Sequence, residues 1–187
     1  MGHNPRSMSA SPVSRRGFLG VAASVAAGLL APKGVLAQPL SPRVLRFDHL
    51  HTGEKLTIEY WREGAYETDG LNAINRLMRD FRTGDVHPID PPLLDLLHDL
   101  AEVTGTRRPF EIISAYRSPA TNADLHAHSD GVATNSLHLK GKAIDIRLTD
   151  IPLEHLRRAA LGARRGGVGY YKASNFVHVD TGRVRTW

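Results

Sequence analysis

The sequence predicts an α+β fold, and three observations carry that reading. Two segments with helical spacing of apolar residues come early in the chain. Short runs with strand-like alternation cluster mostly later. The two kinds do not alternate as they would in a doubly wound sheet. Residues 44–61 read as a hairpin: Val44, Leu45 and Phe47 lead into the turn-like His51-Thr52-Gly53-Glu54, and Leu56, Ile58 and Tyr60 alternate beyond it. Residues 69–82 read as a helix, with Leu71, Ile74, Leu77, Met78 and Phe81 on one face and Gly84 as the stop. A second helix over 91–104 opens at Asp90-Pro91-Pro92, because proline suits a first helical turn, and carries Leu93, Leu94, Leu97 and Leu100. Phe110–Ser114 is a short strand, 119–135 a short helix plus a polar loop, and 142–148 a strand in which Ala143, Ile144, Ile146 and Leu148 surround one Asp. A third helix runs from Pro152 to about Ala163, broken by Gly166-Gly167, and strands at 168–171 and 176–180 close the chain.

Composition narrows the function. The chain has 187 residues, and its apolar and charged shares, 41% and 23%, are those of a globular protein. The absence of cysteine excludes a disulfide framework, a thiolate zinc finger and a cysteine nucleophile. The net charge of +5 invites a nucleic-acid reading, but Arg6, Arg15, Arg16 and Lys33 all lie in the first 37 residues, which hold no acid. Residues 38–187 keep 20 basic against 19 acidic groups, so the body of the chain lacks the footprint of a nucleic-acid binder.

Residues 1–37 read as an export signal. Ser14-Arg15-Arg16-Gly17-Phe18-Leu19 is a twin-arginine signature, and the uncharged run Gly17–Pro32 is shorter than the roughly 20 residues that span a bilayer. Val35-Leu36-Ala37 offers a cleavage site before Gln38. The expectation is a leader over 1–37, the twin-arginine translocase as a transient partner, a periplasmic location, and one folded domain over 38–187. A chain of about 150 residues can bury roughly 70% of its unfolded surface without disulfides.

The chemistry concentrates in Ser136-Leu137-His138-Leu139-Lys140-Gly141-Lys142-Ala143-Ile144-Asp145, where Gly141 allows a tight turn between His138 and Asp145. Asp145 has apolar neighbours, so its carboxylate needs a cation or several donors. A second histidine, His178, lies in the apolar strand Phe176-Val177-His178-Val179-Asp180. Two imidazoles and one carboxylate form a three-ligand set for zinc with a fourth position left for water, which is the catalytic rather than the structural arrangement.

Ser-x-His-x-x-Gly-x-Ala-x-Asp at 136–145 followed by Phe-Val-His-Val-Asp at 176–180 resembles the zinc D-alanyl-D-alanine metallopeptidases, whose relatives include lysostaphin-like endopeptidases and hedgehog. The resemblance is closest to a small periplasmic murein-endopeptidase branch and extends through His51-Thr52-Gly53-Glu54, Tyr60-Trp61 and the segment Thr83–Asp90 to Gly182. It implies a central antiparallel sheet carrying the site with helices packed on it, one zinc per chain held by His138, Asp145 and His178, and peptidoglycan peptides as substrate. Ser114-Ala115-Tyr116-Arg117-Ser118 matches the family's Tyr-Arg-Ser segment, which makes Arg117 the candidate for binding a substrate carboxylate or an oxyanion. Tyr116 reads as packing.

The general base is open at this level. Many relatives place an acid or a histidine just before the last zinc histidine, where this chain has Ser174 and Asn175. Asp180 is the candidate instead: on a strand it shares a face with His178, about 6–7 Å away, within reach of a zinc-bound water or of the histidine itself. His126 and His128 read as a solvated polar loop, and Arg157, Arg158, Arg164 and Arg165 as a solvated basic face. The leading expectation is a monomeric zinc-dependent murein endopeptidase. The alternatives are a D,D-carboxypeptidase, a non-catalytic zinc-holding wall-binding module suggested by Asn175, and a non-haem iron oxygenase suggested by His178-x-Asp180, which lacks the further histidine such sites use.

Overall fold

Period-two alternation builds the sheet, and the two faces it creates have opposite chemistry. In the computed structural model, which describes residues 41–128 and 133–187, β1 (Arg43–His49) buries Leu45, Phe47 and His49. The leader lies outside the described residues. β2 (Lys55–Arg62) returns antiparallel to β1, pairing Leu45 with Ile58 and Phe47 with Leu56, and Gly53 makes the turn at φ +71°. A two-residue β3 (Ala65–Tyr66) pairs antiparallel with β2 at the sheet edge.

Helices α1 (Thr68–Leu77) and α2 (Pro91–Thr104) follow. Helix α2 has the predicted bounds, with its prolines in the first turn and Gly105 closing it at φ +66°. Helix α1 stops short of the expected 82. The N–H of Asp80 bonds the Asp85 carbonyl and its side chain takes the N–H of Arg82, so the chain turns there and Phe81 leaves the helical face.

The second half supplies β4 (Phe110–Ser114), α3 (Pro119–His128), a 3₁₀ turn (Leu137–Lys140), β5 (Ala143–Arg147), α4 (Leu153–Ala163), β6 (Gly167–Tyr171), β7 (Phe176–Asp180) and β8 (Arg185–Thr186). The 3₁₀ turn, β3 and β8 are too short to leave a periodic signal in the sequence. The spatial order is β3-β2-β1-β4-β5-β7-β6-β8. β4, β5, β7 and β6 are mutually antiparallel, as expected of the sheet that carries the site. The sheet as a whole is mixed: β1 runs parallel to β4, joined by the long crossover through α1 and α2, and β6 runs parallel to β8.

In β5 the alternation sends Ile144 and Ile146 into the core and Asp145 to the other face. In β7 it sends Val177 and Val179 into the core and His178 and Asp180 to the other face. Helices α2 and α4 pack on each other, α2 against β1 and α4 against β7, so the core lies between helices and sheet. The opposite face is left to form a cleft. All these elements belong to one unit, Gln38–Trp187. Among the described residues no helix is long and apolar enough to cross a membrane.

Candidate metal centre

Three sequence-predicted ligands meet on the cleft face. The β5–β7 register sets Asp145 directly opposite His178. His138 arrives from the 3₁₀ turn, which Ser136 opens by accepting the His138 N–H at 3.3 Å. Gly141 ends that turn at φ +62°, where a Cβ would meet the Pro88 carbonyl oxygen at 2.2 Å, so no other residue fits. His138 Nε2 lies 3.2 Å from His178 Nδ1 and 3.4 Å from Asp145 Oδ1, and His178 Nδ1 lies 2.8 Å from that same oxygen. Donors about 2.0–2.2 Å from a tetrahedral zinc stand about 3.4 Å from one another. The set therefore has nearly the spacing of a ligand triangle.

Proton placement supports a cation more strongly than spacing does. His138 Nδ1 donates to the Ala115 carbonyl at 2.5 Å, which leaves a lone pair on Nε2. His178 Nε2 donates to Asp180 Oδ2 at 3.1 Å, which leaves a lone pair on Nδ1. Two lone pairs and a carboxylate oxygen then face one point, and only a cation satisfies all three. Without one, a proton must serve. Burial lowers the His178 pKa, but Asp145 and Asp180 outweigh it and the net shift is upward. Burial would raise the pKa of Asp145, yet His138 and His178 hold it well below the ordinary carboxylate value. His138 itself is pushed down by burial, which favours the neutral ring a metal requires.

Asp180 does share a face with His178, as the strand pattern implied. The structure places it behind His178 rather than in the cleft, which corrects its reading as a base open to substrate. Its side chain is fully buried. One oxygen accepts N–H groups of Gly167 at 2.9 Å and Gly182 at 2.8 Å and a guanidinium N–H of Arg185 at 3.1 Å; the other accepts from Arg185 at 2.6 Å and from His178. Burial raises its pKa, and these partners reverse that and hold it far below the ordinary value. A carboxylate so saturated is a poor proton acceptor.

Arg117 lies beside the donors. It is 9% exposed, 3.9 Å from Asp145, and its Nε has no partner among the described residues. Burial lowers its pKa while Asp145 opposes that, and the group stays cationic. Tyr116 stacks on His87 at 4.7 Å, a packing role. Asn175, the apparent gap in the family pattern, sits in the β6–β7 turn at φ +55°, a conformation asparagine tolerates. His126 and His128 lie on α3, exposed, rather than in a loop. In the basic run, Arg157 pairs with Glu154 and lies over Tyr170, and Arg165 pairs with Asp99.

The cleft, about 650 Å³, also takes in His51, Arg82, Tyr171, Arg185 and Trp187. His51 belongs to the turn segment His51-Thr52-Gly53-Glu54 that carried the resemblance; the other four had no sequence signal of their own. Trp187 lies 5.2 Å from the His178 ring and donates to the Tyr171 hydroxyl at 2.8 Å, packed where Gly169 leaves no side chain.

An α+β domain with two imidazoles and a carboxylate on the open face of its sheet, and a buried arginine beside them, has the layout of a peptidase of the zinc D-alanyl-D-alanine superfamily. The chain belongs to the M15 peptidase family described as peptidoglycan L,D-endopeptidase MepK, whose model matches residues 37–187. Peptidoglycan L,D-endopeptidase MepK of Escherichia coli (strain K12) is 44% identical over 169 residues, 90% of this chain and 93% of that protein. The protein of that name from Shigella flexneri matches to the same extent. The probable peptidoglycan L,D-endopeptidase MepK of Haemophilus influenzae is 44% identical over 161 residues, 84% of this chain and 87% of its own.

Proposed function

We propose that this chain is a zinc-dependent peptidoglycan L,D-endopeptidase, exported by the twin-arginine route and acting on cross-links in the periplasm as a monomer. The observation that carries the reading is the donor set, in which both histidines have their protons fixed on the far nitrogen and their lone pairs turned to Asp145. The L,D specificity comes from the relatives, which share 44% identity along most of the chain.

His138, Asp145 and His178 would hold one zinc. Bound there, zinc would lower the pKa of a coordinated water to about 7 and polarise the scissile carbonyl. Asp180 is a positioning residue: it fixes the tautomer and the angle of the His178 ring and makes that ring a better ligand. Arg117 lines the cleft and its Nε–H has no partner among the described residues, so its guanidinium can take up the carbonyl oxygen of the substrate as negative charge develops on it. Tyr171, Phe176 and Trp187 line the cleft beside the donor set and offer aromatic surface to a peptide bound there.

The test is hydrolysis of purified cross-linked murein fragments, read by mass spectrometry, before chelation, after it, and after zinc is restored. Cleavage at an L,D cross-link that vanishes with the chelator and returns with zinc is the expected result. Zinc bound at one per chain with every fragment left whole would contradict it and favour a wall-binding module.

A further inference from the structure

The turn at Asp80 and the segment after β4 are locked together, and each delivers an arginine to the cleft. Asp80 is fully buried. One carboxylate oxygen accepts the backbone N–H of Arg82 at 3.0 Å and the other accepts that of Ser118, next to Arg117, at 2.8 Å. The N–H of Tyr116 adds a bond to the Met78 carbonyl at 3.1 Å. Burial pushes the Asp80 pKa up, but hydrogen bonds from Thr121, Ser118 and Arg82 outweigh it and keep the group ionised. The clamp thus holds the main chain at two arginines while leaving both guanidinium groups without a direct partner in it.

Those guanidinium groups are only partly neutralised: Arg117 has Asp145 at 3.9 Å, a carboxylate that also serves both histidines. Arg117 is nearly buried and its Nε is unpartnered among the described residues. Arg82 lies over the Phe81 ring at 4.2 Å and pairs with no carboxylate among the described residues. His51 stacks on the same ring at 4.2 Å with an 8° tilt, and both His51 and Arg82 line the cleft. Asp145, the one carboxylate among the described lining residues, is committed to the donor set. Arg185 has its own partner in Asp180. Arg82 and Arg117 line the same cleft, and no carboxylate among the described residues pairs with Arg82, so the wall they form favours an anion, and a planar guanidinium braced on an aromatic ring suits a carboxylate.

We propose that Arg82, braced on Phe81 and His51, binds a free carboxylate of the peptide substrate beside Arg117 and so makes the enzyme prefer cross-links that carry one. This rests on the peptidoglycan reading above and names the feature of the substrate that the cleft selects. Arg117 serves the reacting carbonyl; Arg82 serves recognition.

The experiment uses the full chain and two sets of cross-linked fragments: one with its carboxylates free, and one with those carboxylates converted singly to carboxamides. Wild type should cleave the free form with a kcat/KM about tenfold above that of one particular amidated form. Arg82→Gln should collapse that ratio to near one, mainly through KM, with zinc content and thermal midpoint unchanged. Arg82→Lys should restore part of it. Equilibrium binding of the same fragments under a chelator reads the subsite without turnover and should show the same discrimination. Wild type that ignores amidation, or Arg82→Gln that loses equal activity on all forms, would overturn the subsite. Discrimination intact in binding with no cleavage of any fragment would support the subsite and overturn the peptidase reading.

Discussion

The two histidines of the donor set are equally essential to it and are held in opposite ways. His138 stands on a 3₁₀ turn, and its far nitrogen is tied to a neutral backbone carbonyl, that of Ala115, at 2.5 Å. His178 stands on a central strand, and its far nitrogen is tied to an ionised carboxylate that is itself held by Arg185 and two glycine N–H groups. The first anchor is part of the main chain, so no side-chain substitution at Ala115 removes the acceptor. The second is a relay of side chains that mutation can cut at any link. The difference separates an imidazole placed by the fold from one placed by charge, and the charged acceptor raises the basicity of its ring more than a neutral carbonyl does.

Cutting the relay should have the largest effect. Asp180→Asn keeps the shape but removes the charge, and zinc affinity should fall by about 10- to 100-fold, measured by competition with a chelator. Arg185→Gln should act in the same direction and less, because two glycine N–H groups still hold Asp180. Zinc affinity unchanged in Asp180→Asn would show that the strand alone places His178. Gly169→Ala sharpens the comparison from the other side of the ring. Its Cβ would stand 2.7 Å from the Trp187 indole, so that ring, which lies 5.2 Å from the His178 ring, must shift. A loss of about 1–3 kcal/mol in denaturant unfolding is expected.

A third buried histidine, His49, is the control, since it has neither anchor. Its Nδ1 accepts the N–H groups of His51 and Thr52 at 3.3 and 3.4 Å, while its Nε2 is buried without a partner among the described residues. Burial, with His51 adding to it, lowers its pKa from the ordinary 6.5. The unfolded chain therefore binds the proton first as pH falls. The stability His49 contributes is present above pH 6.5 and is lost as pH drops toward the lowered folded value. His49→Asn keeps an acceptor for the two N–H groups and should flatten the unfolding free energy between pH 5 and 7, where wild type changes by at most about 1.4 kcal/mol per pH unit from this group. An identical pH slope in both proteins would refute the assignment.

The parts of the site legible in the sequence were those set by alternation on a strand or by a tight turn. Asp145 and His178 could be assigned to one face because Ile144, Ile146, Val177 and Val179 claim the other. Gly166-Gly167 was visible as a helix stop, but its larger reason was not. A Cβ on Gly166 would meet the Asp180 carbonyl oxygen at 1.7 Å, and the Gly167 N–H is one of the bonds that hold the Asp180 side chain. Asp180 itself was placed on the correct face and given too open a role, because a strand pattern shows direction and not what lies beyond. Arg82 and Trp187 were out of reach for a related reason. Each gains its position from a contact between distant segments, Asp80 with Ser118 in one case and Trp187 with Gly169 in the other.

If His138, Asp145 and His178 together hold one catalytic zinc, calorimetric titration of zinc into the chelated protein should show one tight site in wild type. Asp145→Ala, with its fold checked by circular dichroism, should stay folded and show none. A tight one-to-one isotherm that survives in folded Asp145→Ala would contradict that assignment.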